Sequence, residues 1–284
     1  MGVPRPQAHG SSHFAVLKFA SPMNLRSLIT ALGLNAIPAA GWFVADWSAG
    51  TMLVLYWMET LIGTLFVAAR ILIHRRLRPS TGDWDYHGPQ TQPQQGSGRS
   101  SYLAAFLVPS LAFTFAHGIF LLALGFIAIK NNLIADARVD PHSLLVGLVG
   151  IGAFQAADFV FDLITIRNRP FLWLERLGQI TLSRVFVVHL TIVGGMFLVM
   201  FTGANRHFFG VFIFLKTMLQ CSSVLPQYNP KTPPAWLSSV MDRIGSPKYK
   251  DDSFSQYWKQ NDDQEAARVA RNEKPMERPR RGGL

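Results

Sequence analysis

Charge is scarce in this chain. Only 15% of its 284 residues are Asp, Glu, Lys or Arg, against about a quarter in an ordinary soluble domain, and 49% are hydrophobic. A soluble fold of this length would need more charge on its surface than the chain carries. Cysteine is scarcer still. The lone Cys221 excludes an intramolecular disulfide and any multi-cysteine metal site; set in an apolar run, it reads as a small buried hydrophobe. The first residues, 1–22, lack an apolar core followed by a small-residue cleavage site, which excludes a secretory signal peptide there. They read as a disordered lead, and Met23, where the patterned region begins, is a candidate start of translation.

Catalytic signatures are missing too. There is no His-Glu-x-x-His, no Cys-x-x-Cys-His, no Gly-x-Ser-x-Gly elbow and no Gly-rich phosphate loop. Asp158 and Asp162 are four apart, share a helical face, and are suited to hold Mg²⁺ for a phosphate-bearing lipid. The Asp-Gly and Ala-Arg block that membrane phosphatidyltransferases place upstream is absent. The sequence leans away from an enzyme and names no cofactor. The net charge of +10 comes without zinc-finger spacing, a helix-turn-helix pattern or an aromatic-interleaved basic stripe, so nucleic acid is not an expected partner.

What the chain does have is long apolar runs. Six of them, at 27–45, 50–73, 102–129, 143–166, 180–202 and 208–225, are each long enough for about 30 Å of hydrocarbon at a helical rise of about 1.5 Å per residue. The expected fold class is all-α, a polytopic membrane helix bundle with the lipid bilayer as its first partner. Cations orient it. Of the 27 lysines and arginines, all but Lys130, Arg138, Arg206 and Lys216 fall in the lead, the second and fourth connections with their edges, or the tail. An even number of spans with both termini cytoplasmic satisfies that bias, in a cell (plasma or inner) membrane. The same asymmetry accounts for the high net charge.

The expected organisation is a lead at 1–22, a six-span domain at 23–225, a linker with an interfacial amphipathic helix at 226–245, and a disordered charged tail at 246–284. The interfacial helix is read from Pro234 to Gly245, with Trp236, Leu237, Val240, Met241 and Ile244 at helical spacing. The connection from His74 to Ser100, rich in Pro, Gln, Gly and Ser, reads as a flexible linker. That from Arg167 to Gly178, with Phe171, Leu172, Trp173 and Leu177 among basic residues, reads as lying at the membrane interface. Gly147, Gly150, Gly152, Ala153, Ala156 and Ala157 permit close helix packing, within the chain or in a homo-oligomer or with another membrane partner.

The polar residues inside the runs carry the functional information, because a charged side chain near mid-bilayer costs about 2.5 to 3.5 kcal/mol on insertion scales. Counting along each run puts Glu59, His117, His189 and Lys216 near the midplane, Asp158 nearer the cytoplasm, and Asp162 and Arg184 close to the cytoplasmic interface. These depths admit the pairs Glu59 with Lys216, Asp162 with Arg184, and Asp158 with His189. Three readings stay open. In one, Glu59, His117, His189 and Lys216 form an intramembrane polar site for a proton, an ion or a small solute, supported by ion pairs of Asp158, Asp162 and Arg184. In another, Glu59, His117, Asp158 and His189 ligate a metal or haem in a membrane enzyme. In the third, the pairs are structural, in an accessory or scaffold subunit.

Several ordered motifs resemble a known family: Asp46-Trp47-Ser48-Ala49-Gly50-Thr51 leading into Leu55-Tyr56-Trp57-Met58-Glu59-Thr60, His117-Gly118-Ile119-Phe120, Arg184 through Ile192, and Leu215-Lys216-Thr217. Over roughly residues 23–225 the chain resembles the uncharacterised prokaryotic membrane proteins of domain-of-unknown-function family 6498. The resemblance implies a membrane fold and groups Glu59, His117, Arg184, His189 and Lys216 within its blocks, without implying an activity. Gln220-Cys221-Ser222-Ser223 departs from the more charged continuation associated with similar proteins.

Overall fold

The first helix, α1 (Leu25–Phe43), buries Ala31, Leu34, Asn35, Pro38 and Gly41, a three- and four-residue recurrence that defines one face of a helix. Pro38 is accommodated without ending it. The computed structural model describes residues 25–89, 100–130, 138–183, 185, 205–224, 230, 232–244 and 253–276. Among these, helices form nearly all the regular structure, and an isolated bridge between Ser80 and Pro275 is the one strand-like pairing.

Helix α1 stops in a tight turn. The amides of Val44 and Ala45 both donate to the Ala40 carbonyl, at 2.9 and 3.0 Å, and Asp46 takes a left-handed conformation (φ 55°), which a short polar side chain tolerates. The turn folds Trp47 back over Gly41, where an added Cβ would lie 2.1 Å from the indole. Ser48 then caps α2 (Ala49–Leu77), its Oγ accepting from the Thr51 amide at 3.2 Å.

Helix α2 is 29 residues long, roughly 43 Å, and is the central element, packed on α3 (Tyr102–Lys130) and α4 (Pro141–Thr165). Asp140 caps α4 by accepting from the Ser143 amide at 2.8 Å, and Pro141 occupies the first turn. The Asp140 amide donates to Thr51 Oγ1 (2.9 Å) and Ser48 Oγ donates to the Arg138 carbonyl, which pins the starts of α2 and α4 together. A further helix, α5, covers 171–183, and α6 (Asn205–Val224) lies against α1. Phe212 packs on Met52 and Tyr56 near the start of α2, while Val67 and Ile71 near its end meet Tyr102 and Phe106 at the start of α3. Thus α2, α4 and α6 run one way, and α1 and α3 the other.

Burial is inverted relative to a soluble protein. Asn35, Glu59, Thr64, Arg70, His74, Ser110, Thr114, His117, Asp162, Lys216 and Gln220 are buried, whereas Val108, Phe115, Ile119, Leu122 and Phe126 of α3, Val149 and Ile164 of α4, and Phe214 of α6 are exposed. Contiguous apolar surface of this kind marks contact with a non-aqueous neighbour. Three helices, Ala49–Leu77, Tyr102–Ile127 and Pro141–Asn168, are long and apolar enough to cross a membrane; Gly210–Ser222 is a shorter apolar helix. The expected fifth span lies outside the described residues beyond residue 185, as do the lead, 90–99 of the second connection, and 277–284.

Two regions read as unstructured are ordered. The tail forms α8 (Phe254–Glu273), capped by a reciprocal Ser253–Gln256 box, after α7 (Ala235–Ile244). At the end of the bundle where α2 finishes, Arg268 of α8 pairs with the buried Glu175 of α5 at 2.6 Å and donates to the His87 carbonyl at 2.7 Å. Asn272 clamps His87 through both its amide and its carbonyl. Glu273 accepts from the Phe171 amide at 2.6 Å and pairs with Arg78 at 2.9 Å. A polar sequence acquires structure here through specific ionic and amide contacts, which a count of apolar residues does not register. The connection after α2 is correspondingly fixed as far as residue 89: Tyr86 stacks on Tyr102 (4.9 Å) and donates to Glu175 (2.7 Å). Burial, and then the Glu175 carboxylate, push the Tyr86 hydroxyl well above its usual pKa, so it stays a donor. Phe171 and Leu174 are buried against Tyr102, Phe106 and Ile71, so this segment is held by protein contacts where an interfacial position was expected.

The small residues of α4 separate by role. A Cβ on Gly147 would meet Leu55 at 2.8 Å and one on Gly150 would meet Ile37 at 2.7 Å, while Gly152 faces open space. The Gly41 contact with Trp47 is tighter than either. Gly41→Ala is expected to displace Trp47 and lower stability by about 1–3 kcal/mol, read as an earlier midpoint in thermal unfolding in detergent followed by tryptophan fluorescence. Gly152→Ala leaves the midpoint unchanged or higher.

Candidate functional site

Three helices converge on one ammonium group. Lys216 of α6 donates to both carboxylate oxygens of Glu59 on α2, at 2.8 and 3.0 Å, and to Asn35 Oδ1 on α1 at 3.1 Å. Asn35 is oriented in turn, its Nδ2 donating to the Ala31 carbonyl at 2.7 Å and to Gln220 Oε1 one helical turn beyond Lys216. The Tyr56 ring, one turn before Glu59, lies 4.8 Å from the ammonium nitrogen, within cation–π range, and is braced edge-on by Phe212 at 4.7 Å. Relative exposure is 8% for Glu59, 7% for Lys216 and 2% each for Asn35 and Gln220. Groups so buried are retained as charges when partner charge and hydrogen bonds offset the loss of water. Chemically, the arrangement is a carboxylate and an ammonium poised to exchange a proton or to part around another ion.

Behind Glu59, Gln155 of α4 donates from Nε2 to the Glu59 carbonyl at 3.3 Å. On the other flank, Trp57 donates to the Thr114 carbonyl of α3 at 2.9 Å. His117 is 3% exposed on the stripe that also carries Ser110 and Thr114, and the Trp57 indole covers its neighbour Gly118.

A second ionic cluster lies 11 residues further along α2, roughly 16 Å at the helical rise. Arg70 binds Asp162 through Nε at 2.8 Å and Asp158 through Nη2 at 3.0 Å. Arg26 of α1 closes the square, 2.6 Å from Asp162 and 3.7 Å from Asp158. The Arg70 guanidinium also covers the Phe159 ring at 5.1 Å.

The structure thus brings Glu59 and Lys216 together and joins Asp158 to Asp162 through two arginines. Arg184 and His189, the partners expected for Asp162 and Asp158, lie outside the described residues; within them, Arg26 and Arg70 hold both aspartates. Asn35, Arg26 and Arg70 were not among the candidate site residues. Asn35 is a polar residue in an apolar run, the signal that could have found it. Arg70 is 4% exposed yet sits at the edge of a basic connection, where it reads as one more orienting cation. Among the described residues no three His, Cys, Asp or Glu side chains are grouped to hold a metal.

Together these features define a class: an all-helical protein with three helices suited to cross a membrane, apolar side chains turned outward and ion pairs turned inward. Residues 19–235 match the family of unknown function DUF6498, and the chain belongs to that family. No curated protein and no solved structure matches it.

The double square of charges yields a prediction. Arg70→Met leaves the buried Asp162 and its neighbour Asp158 sharing Arg26 alone, so the variant is expected to lose about 3–5 kcal/mol. The loss is read as a lowered unfolding midpoint in detergent. Adding Asp162→Asn removes the surplus charge and recovers part of it. Equal midpoints for the single and double variants would show that the charges are not energetically coupled.

Proposed function

We propose that this is a six-span protein of the cell membrane with both termini in the cytoplasm, and that the Lys216–Glu59 pair is an intramembrane site for a proton, an ion or a small solute. The observation that carries the reading is the position of the Lys216 ammonium, held by Glu59 and Asn35 within 3.1 Å inside a bundle whose outer surface is apolar. Ionisable groups in such surroundings are costly and mark ion or proton pathways. The alternating directions of α1, α2, α3 and α4, with α6 parallel to α2 and α4, fit an even number of crossings with one span between α4 and α6. The concentration of arginines at the end where α2 finishes fits a cytoplasmic assignment for that end. Reporter fusions after residue 284 and in the connection 131–137 test the topology: a cytoplasmic tail and an external connection are expected, and the reverse overturns the orientation.

The same geometry favours one competing reading. Both carboxylate oxygens of Glu59 are engaged by Lys216, as in a purely structural pair. Purified protein reconstituted into vesicles holding a pH-sensitive dye, with a potassium diffusion potential imposed, separates the two. For a proton site, wild-type vesicles acidify faster than protein-free vesicles, and Glu59→Gln and Lys216→Met each abolish the excess while still accumulating in the membrane. For a structural pair, each single variant fails to accumulate and the double variant recovers. Replacing the pH-sensitive dye with a sodium- or chloride-sensitive one, with a gradient of that ion imposed, reads the ion alternatives in vesicles prepared the same way.

A further inference from the structure

The two ionic clusters are joined by a polar seam between α2 and α4. Glu59, Gly63 and Arg70 are spaced by four and seven residues on α2, and Gln155, Asp158 and Asp162 by three and four on α4, so each set occupies one helical face. The faces meet at both ends, through the Gln155–Glu59 hydrogen bond and the Arg70 pairs with the two aspartates. Between them the Gln155 Oε1 atom is buried and has no hydrogen-bond partner among the described residues. Buried acceptors are met by water where a polar site leaves room. Opposite this atom stands Gly63, where an added Cβ would make ordinary contact with the Gln155 amide at 3.7 Å, so the missing side chain is the space left beside that acceptor. Asp158, whose side chain is 24% exposed, lies one turn closer to the end where α2 finishes, about 4.5 Å along the helix. The Phe66 and Phe159 rings, 5.1 Å apart, belong to the same stretch of the two helices and place an apolar contact along the path.

We infer that this seam is a water-lined proton path, opening beside Asp158 at the end of the bundle covered by α8 and leading past Gln155 to Glu59. The inference rests on the reading of Glu59–Lys216 as a proton site and gives that site its route and its sidedness. A proton arriving along the seam adds to the Glu59 carboxylate, forming an O–H bond and neutralising it. Lys216 keeps its ammonium, held by Asn35 Oδ1, and the same proton later passes from Glu59 to water on the side where α2 begins, which restores the pair and completes one crossing. The exposed faces at mid-helix carry apolar residues instead, Leu65 and Leu72 on α2 and Val149 and Val160 on α4.

Single cysteines placed in a Cys221→Ser background test it without relying on transport. Gly63→Cys and Gln155→Cys are probed with the small cationic thiol reagent 2-aminoethyl methanethiosulfonate in sealed vesicles of known orientation, with Leu65→Cys as the control on an exposed apolar face of α2. A thiol reacts as its thiolate, which forms in water and not in hydrocarbon. Both seam positions are expected to react at least about tenfold faster than the control, and from the α8 side. Reaction no faster than the control at both positions, or reaction from the opposite side, overturns the path. Gly63→Leu, which fills the seam, is then expected to remove the proton flux that Glu59→Gln removes. Flux lost in Glu59→Gln but retained in Gly63→Leu overturns the path and leaves the site standing. Flux absent from wild type removes the site and the path together.

Discussion

A charge placed among apolar helices has to be offset by a group on another helix, and the rest of this structure is arranged around that requirement. Lys216 cannot be neutralised from its own helix, because its neighbours on α6 are Leu215, Leu219 and Phe212. It is met instead from α2 and α1, by Glu59 and Asn35. The pair therefore fixes the rotation of three helices about their axes as well as their contact. Dispersion and shape alone specify rotation weakly in a bundle whose outer and inner residues are both hydrophobic. The Gln220–Asn35 and Gln155–Glu59 contacts extend the same logic by one turn on either side.

The end of the bundle bearing Arg70 repeats the solution with more charge. Two arginines from α1 and α2 face two aspartates from a single turn of α4, so α1 and α2 are tied at two levels roughly 16 Å apart, to α6 at one and to α4 at the other. Beyond this level the chain is held by polar contacts on the outside of the bundle. Arg268 and Glu175 bring α8 onto α5, and Asn272 fastens the connection that leaves α2. The consequence is mechanical: α8, α5 and the end of α2 are held to one another at the same end of the bundle.

Much of this was legible in the sequence where one physical rule decided the outcome. The helices α1 to α4 and α6 follow the apolar runs. Glu59 and Lys216 were matched by depth alone, since opposite charges at equal depth lower each other's cost. Depth says nothing about which helices touch, which is why Arg70 was counted with the connection it borders and Asn35 was not singled out. The tail was the largest misreading. Its docking rests on Glu175, distant in sequence from its partner Arg268, and on groups of 78–87, while the Ser253–Gln256 capping pair, a local sign of a helix start, was outweighed by the polar composition of the segment.

The distribution of charge sets a further condition on what the interior can do. Arg26 and Arg70 balance Asp158 and Asp162, and Lys216 balances Glu59, so these six groups sum to zero. Removing a charge from either cluster leaves a surplus in a medium that screens it poorly. A proton that neutralises Glu59 leaves Lys216 as an excess cation beside Asn35 Oδ1 and the face of Tyr56. That state is higher in energy than the paired one. It is brought down either when the proton leaves again or when an anion or water reaches the ammonium. The Asn35 and Tyr56 contacts lower its energy without offsetting the whole charge. Under the function proposed above, the tightness of the resting pair is then what limits how often Glu59 takes up a proton.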